Sequence, residues 1–246
     1  MKRIAAAMVG LLVTAGLSQA QEAAVDLVKT PALAKDLAAF PRLSGSGDVV
    51  QKINKALGQG DQRVKKAAKT CRSEGKEHSS WTRNVDVTMR GPRYVSYVAH
   101  DDFFCGGAYP DTSSVALVYD LATGIPVDWT KLLTGSPSAA TNEAADGTVL
   151  GTVSSAKLKE LYLAAVKITD VDDPHQCDDI LQQTDFNFIL WPDVKENAVV
   201  LAQMDLPHVT AACGPAASVP MAKLRQAGFD AGLLDAIEAA HKAAKE

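Results

Sequence analysis

The sequence predicts an α+β fold, with an antiparallel β-meander and a second hairpin packed against several helices. Three observations lead there. Residues alternating with a period of two fall into two groups, 85–129 and 186–203, whose connections hold turn residues and no crossover helix. Segments with 3.6-residue periodicity flank those groups rather than following each strand. The resulting order of helix, meander, helix, hairpin and helix argues against a parallel, doubly wound sheet.

Taken from the N-terminus, residues 1–20 read as a signal peptide. Lys2 and Arg3 precede the uncharged apolar run 4–17, and Ser18-Gln19-Ala20 supplies the small residues of a cleavage site before Gln21. That run falls short of the ~20 residues a membrane span needs. Residues 21–39 are Ala-rich and predict a helical extension interrupted at Pro31, and 40–246 read as one α+β domain. Asp48 is placed to cap a helix whose apolar stripe is Val49, Val50, Ile53 and Leu57, with Gly58 and Gly60 as its expected end.

Val85, Val87 and Met89 alternate with polar neighbours, Gly91-Pro92 turns the chain, and Val95, Tyr97 and Ala99 alternate back. After Gly106-Gly107 come Val115, Leu117 and Tyr119, the turn Asp120-Leu121-Ala122-Thr123-Gly124, and a short strand at 125–129. One face of this meander is expected to be packed and the other wet. The small, polar stretch 134–153 reads as a long loop or as a boundary between two lobes. Leu158, Leu161, Tyr162, Ala165 and Val166 then mark an amphipathic helix capped by Ser154 or Ser155. Phe186, Phe188 and Leu190 pair with Val199 and Leu201 in the second hairpin. Pro220 opens a helical tail divided by Gly228 and Gly232, in which Leu233, Leu234 and Ile237 form the docking face.

The charge excludes some partners. Loss of Lys2 and Arg3 with the leader takes the net charge from −4 to −6, and the densest basic stretch, Arg63 with Lys65, Lys66 and Lys69, reads as the solvated face of a helix. This argues against nucleic acid. Cys71, Cys105, Cys177 and Cys213 are even in number, and in an oxidising compartment they suggest two disulfides with three possible connectivities. Cys71–Cys105 and Cys177–Cys213 are favoured, since each pair lies within one half of the chain. Loops of that size are worth roughly 3–4 kcal/mol per bond in the chain-entropy model. No Cys-x-x-Cys knuckle points to zinc.

Catalytic signatures do not surface. There is no Gly-x-Ser-x-Gly elbow, no His-Glu-x-x-His, no phosphate-binding loop and no cofactor motif. Two weaker constellations remain. His100-Asp101-Asp102 has the composition of a base with an orienting carboxylate. The segment with Asp170, Asp172, Asp173, His175, Asp178 and Asp179 is a candidate cation site, but it lacks the central Gly and terminal Glu of an EF-hand loop, and a solvated acidic turn explains it better. Trp81, Trp129 and Trp191 are expected in the core rather than as a sugar-stacking platform. Gly106, Gly107, Tyr109 and Asp111 form the candidate binding corner, because a glycine pair permits close backbone approach beside an aromatic ring.

Three stretches together resemble a known family. They are Phe40-Pro41-Arg42-Leu43-Ser44-Gly45 with the following Val49, Ile53, Asn54 and Leu57; Tyr94-Val95-Ser96-Tyr97-Val98 with Gly106-Gly107-Ala108-Tyr109-Pro110, Asp120-Leu121-Ala122-Thr123-Gly124 and Leu132-Leu133; and Gly214-Pro215 leading to Ser218-Val219-Pro220-Met221. The pattern resembles the extracytoplasmic domain of RsiV-type lysozyme-sensing anti-sigma factors and the non-catalytic part of PdaC-type peptidoglycan deacetylases. The resemblance implies an α+β domain at the bacterial cell envelope, periplasmic or secreted, binding or sensing an envelope protein or a peptidoglycan fragment. It transfers no catalytic residue. Tyr109 stands where the family often has His, and the four cysteines are not a general family feature. A peptidoglycan hydrolase built on His100/Asp101 or His175, and a purely structural envelope component, are the alternatives.

Overall fold

The computed structural model describes residues 24–245 apart from 76, 77, 170, 172, 174 and 205, so the expected signal peptide lies outside the described residues. Strand β1 (Leu27–Val28) pairs antiparallel with β2 (Arg42–Leu43). The described part of the predicted helical extension is not helical. Residues 24–39 run extended around a turn at Lys35-Asp36, and Leu37 bridges Arg83 in parallel. Ala38 donates its N–H to the Arg83 carbonyl (3.1 Å), and Arg83 donates to that of Asp36 (2.8 Å). Pairing with a strand overrides the helix propensity of alanine, and Pro31 works against a continuous helix.

Helix α1 (Asp48–Gly75) runs for 28 residues, past the expected stop at Gly58 and Gly60. A Cβ at Gly60 would sit 3.2 Å from the Phe40 ring. Glycine is therefore present for close packing against an aromatic, not to end the helix. The next residue, Asp61, is buried, pairs with Arg42 and accepts the Phe40 N–H (3.1 Å). The buried stripe of α1 extends through Val64 and Ala68 to Cys71; Lys65, Lys66 and Lys69 face solvent as expected, but Arg63 is half-buried and donates its Nε–H to Thr148 Oγ1 (3.0 Å).

Strands β3 (Ser80–Arg90), β4 (Tyr94–Phe104) and β5 (Asp111–Asp120) form an antiparallel sheet with β4 in the middle. The expected wet face is missing where it counts. Every residue from Tyr94 to Ala99 is buried, because α1 packs on one side of the sheet and a second sheet on the other. The short strand expected at 125–129 is reduced to a bridge between Tyr119 and Pro126 and a 3-10 turn at Trp129–Lys131.

The stretch 134–153, expected as a loop or lobe boundary, contributes to a hairpin of β6 (Ser138–Glu143) and β7 (Val149–Ser154). Its pattern was hard to recognise because β6 is an exposed edge of small and polar residues with no apolar alternation. Helix α2 (Ala156–Ala165) starts where Ser155 Oγ accepts the Leu158 N–H (3.1 Å), and α3 (Gln176–Gln183) takes in the end of the acidic segment, which was expected as a turn. Strands β8 (Phe188–Asp193), β9 (Ala198–Gln203) and β10 (Ala217–Pro220) complete a five-stranded antiparallel sheet of order β10-β9-β8-β7-β6. Helices α4 (Met221–Gln226) and α5 (Ala231–Ala243) close the chain, divided at Gly228 (φ +80°). One continuous core runs from Phe40 to Ile237 through both sheets. A smaller cluster joins Leu37, Val64, Ala68, Cys71 and Trp81.

Both favoured disulfides form, Cys71–Cys105 with Cα atoms 4.6 Å apart and Cys177–Cys213 with 5.2 Å. Among the described residues no helix is long and apolar enough to cross a membrane.

Candidate functional site

The glycine corner between β4 and β5 is built from both of its ends. Gly106 (φ +87°) and Gly107 (φ +120°) occupy the left-handed region, which side-chain-bearing residues rarely adopt. Just before them, Cys105 is tied by its disulfide to the last turns of α1. Gly75, at the end of that helix, lies so close that a Cβ there would be 2.7 Å from the Cys105 carbonyl carbon. The corner is thus pinned at its base, while its tip projects: Tyr109 is 70% exposed. Asp111 begins β5, accepts the Thr112 N–H through Oδ1 (2.8 Å) and lies directly across from Phe103.

Two clefts adjoin the corner. One of about 470 Å³ is lined by Phe103, Asp111, Ser113, Ser114 and Glu143, among others. The other, about 620 Å³, lies between α1 and the β6–β7 turn and is lined by Arg63, Lys66, Glu74, Trp81, Phe103 and Glu143. A larger cleft of about 780 Å³ lies where β3 and β4 meet β8 and α5, and both His100 and His241 line it.

His100 and Asp101 do not face each other. Consecutive residues on a strand point to opposite faces. His100 is exposed, with Nδ1 3.1 Å from Ser114 Oγ, whereas Asp101 is buried on the other side. There its Oδ1 accepts from Arg83 Nε (2.7 Å) and Trp81 Nε1 (2.9 Å). Arg83 also reaches Asp146 Oδ2 (2.7 Å) in the β6–β7 turn, and Asp146 Oδ1 holds the Thr148 N–H (2.8 Å). Burial pulls the Arg83 pKa down, but the hydrogen bonds and charges of Asp101 and then Asp146 outweigh it and hold it above the ordinary arginine value. This buried cluster staples β3, β4 and the β6–β7 turn together.

Among the described residues, the candidate cation residues do not converge. Asp173, His175 and Asp178 are exposed; Asp173 Oδ1 accepts the His175 N–H (3.0 Å), and His175 Nδ1 lies 3.2 Å from Asp178 Oδ2. Asp178 and Asp179 sit in the first turn of α3, where carboxylates favour a helix start. Asp170 and Asp172 are outside the described residues. Among those described, no three His, Cys, Asp or Glu side chains come together to hold a metal. Trp81, Trp129 and Trp191 are buried as expected.

Phe103 was not singled out in the sequence, yet it lines both corner clefts. The available signal was that Phe103 continues the alternation of Val95, Tyr97 and Ala99, beyond the last residue read as strand.

The fold and corner define an α+β protein of three antiparallel sheets, two of them large, with a disulfide-anchored loop. No family model matches the chain, and no curated protein does either. Among solved structures, a member of the DUF3298 family from Bacteroides fragilis NCTC 9343 is a distant structural neighbour, with 12% identity and a TM-score of 0.42 over 80% of this chain and 75% of that one. At that distance it carries no argument about function.

Proposed function

We propose that this is an exported envelope protein, periplasmic or secreted, that binds or senses an envelope protein or cell-wall fragment through the 106–111 corner and performs no chemistry itself. The observation that carries the reading is the presentation of Tyr109. A large amphipathic ring, 70% exposed, stands on a loop whose base is fixed by a disulfide and by the Gly75–Cys105 contact. Tyrosine supplies much contact area for few rotatable bonds, and a pre-anchored loop loses little entropy on binding. The resemblance to RsiV-type and PdaC-type domains and the signal-like first twenty residues support the address.

The test is calorimetric titration of the purified protein with lysozyme and with muropeptides. Tyr109→Ala is expected to weaken the interaction at least about tenfold, as central aromatic truncations do, with an unchanged melting temperature. Wild-type protein that binds neither probe, or Tyr109→Ala that binds as tightly as wild type, removes the reading.

A further inference from the structure

We infer that the two clefts meeting at Phe103 form one groove for a neutral oligosaccharide strand, with the Phe103 ring as the platform for one sugar. The inference rests on the envelope-binding reading and narrows it, naming a glycan as the ligand and adding the ridge beside Tyr109 as a second contact.

The platform is held from behind. Phe103 is in register with Trp81 on β3 and Asp111 on β5, so all three side chains leave the same face of the sheet. Trp81 stacks on Phe103, with ring centroids 4.7 Å apart and planes 19° from parallel. Trp81 is itself fixed, buried and donating its indole N–H to Asp101. Phe103 is only partly buried and borders both clefts. A pyranose presents a face of slightly positive C–H groups, which packs on the negative face of an aromatic ring.

The surroundings fit a polyhydroxylated chain. The clefts share Phe103, Glu143 and Ala145, so together they make an elongated path rather than two isolated holes. Each volume falls within the range of small-molecule sites. Asp111 and Glu143 carry carboxylates that accept hydrogen bonds when ionised, and Ser113 and Ser114 carry hydroxyls that both donate and accept. Charges are nearly balanced, Arg63 and Lys66 against Glu74, Glu143 and Asp111, with Asp146 already paired to Arg83. That balance repels a polyanion less than an acidic groove would but attracts none, and it suits an uncharged chain.

The probe is the β-1,4-linked tetramer of N-acetylglucosamine, titrated calorimetrically into the purified protein beside lysozyme. Phe103→Leu keeps an apolar side chain in the small core cluster but removes the ring face, and is expected to weaken tetramer binding about tenfold; Phe103→Trp restores it. Asp111→Asn is expected to weaken it about threefold through loss of a charged acceptor. Equal tetramer affinity in wild type, Phe103→Leu and Asp111→Asn overturns the inference. Tetramer silence with Tyr109-dependent lysozyme binding also overturns it while leaving the envelope-binding reading intact. Silence from both probes ends both.

Discussion

The Arg83 cluster and the acidic segment at 170–179 both concentrate charge, and they use it in opposite ways. In the first, residues far apart in sequence (83, 101 and 146) meet in a space sealed from water, and every carboxylate oxygen has a donor. In the second, described residues adjacent in sequence stay in solvent and satisfy one another locally. In the first cluster, strand register and the β6–β7 turn bring distant charges together; in the second, closeness along the chain does not make the described ones converge. The difference lies in desolvation: a buried ion pair is costly to break, and an exposed one is worth little either way.

The largest break in that comparison is Arg83→Ala. It strands Asp101 and Asp146 in the interior, and urea unfolding at pH 7 should show a loss of about 3–5 kcal/mol. A loss below about 1 kcal/mol would show that water or a neighbour compensates the carboxylates.

The Arg93–Asp120 pair lies between the extremes, with the Arg93 side chain 54% exposed and that of Asp120 17%. Burial raises the Asp120 pKa, but the Arg93 hydrogen bonds and the backbone N–H groups of Ala122 and Thr123 outweigh it and hold it below the ordinary aspartate value. A depressed folded-state pKa stabilises the protein above the unfolded value near ~4, and the stabilisation drains away as pH falls through the folded one. Asp120→Asn should therefore cost less than about 1 kcal/mol at pH 7, screened by solvent, and the gap to wild type should close in unfolding curves taken below about pH 4. A gap that stays constant with pH would assign the effect to packing.

The smallest effect is expected in the acidic segment. Asp173→Asn with Asp178→Asn should shift stability by no more than about 0.5 kcal/mol, the usual range for solvent-facing substitutions. Millimolar Ca²⁺ should leave the melting temperature of wild type and variant alike, since a ligand that binds the folded form would raise it. A calcium-dependent rise lost in the variant would restore the cation site.

Much of the fold was readable from local pattern. The start of α1, the paired strands of both hairpins, the Ser155 cap and the α4–α5 division all follow from periodicity and capping chemistry within a few residues. Other elements were not readable, and three of them show why. Gly60 carries the signature of a helix stop, and only the Phe40 ring, 20 positions earlier, explains why the helix continues. Strand β6 lacks an apolar face because it is an edge, and the Ala-rich start loses its helix to pairing with β3. The site divided similarly. The turn that carries 106, 107 and 109 into Asp111 was legible, since glycine pairs announce turns. Asp101 turned away from His100, and Phe103 went unnoticed, because strand partners are set by register that no local window contains.

Helix α1 has a consequence for how this chain tolerates change in length. It spans about 42 Å at 1.5 Å per residue. Near its start, a Cβ at Gly124 would come within 3.3 Å of Val49; at mid-length Asp61 holds Arg42; and at its end Cys71 holds Cys105. One residue added between Asp61 and Cys71 would rotate everything beyond it by about 100° and carry the thiol off its partner. Natural variants of this protein should accordingly grow or shrink at surface turns and keep the spacing between those three anchor points unchanged.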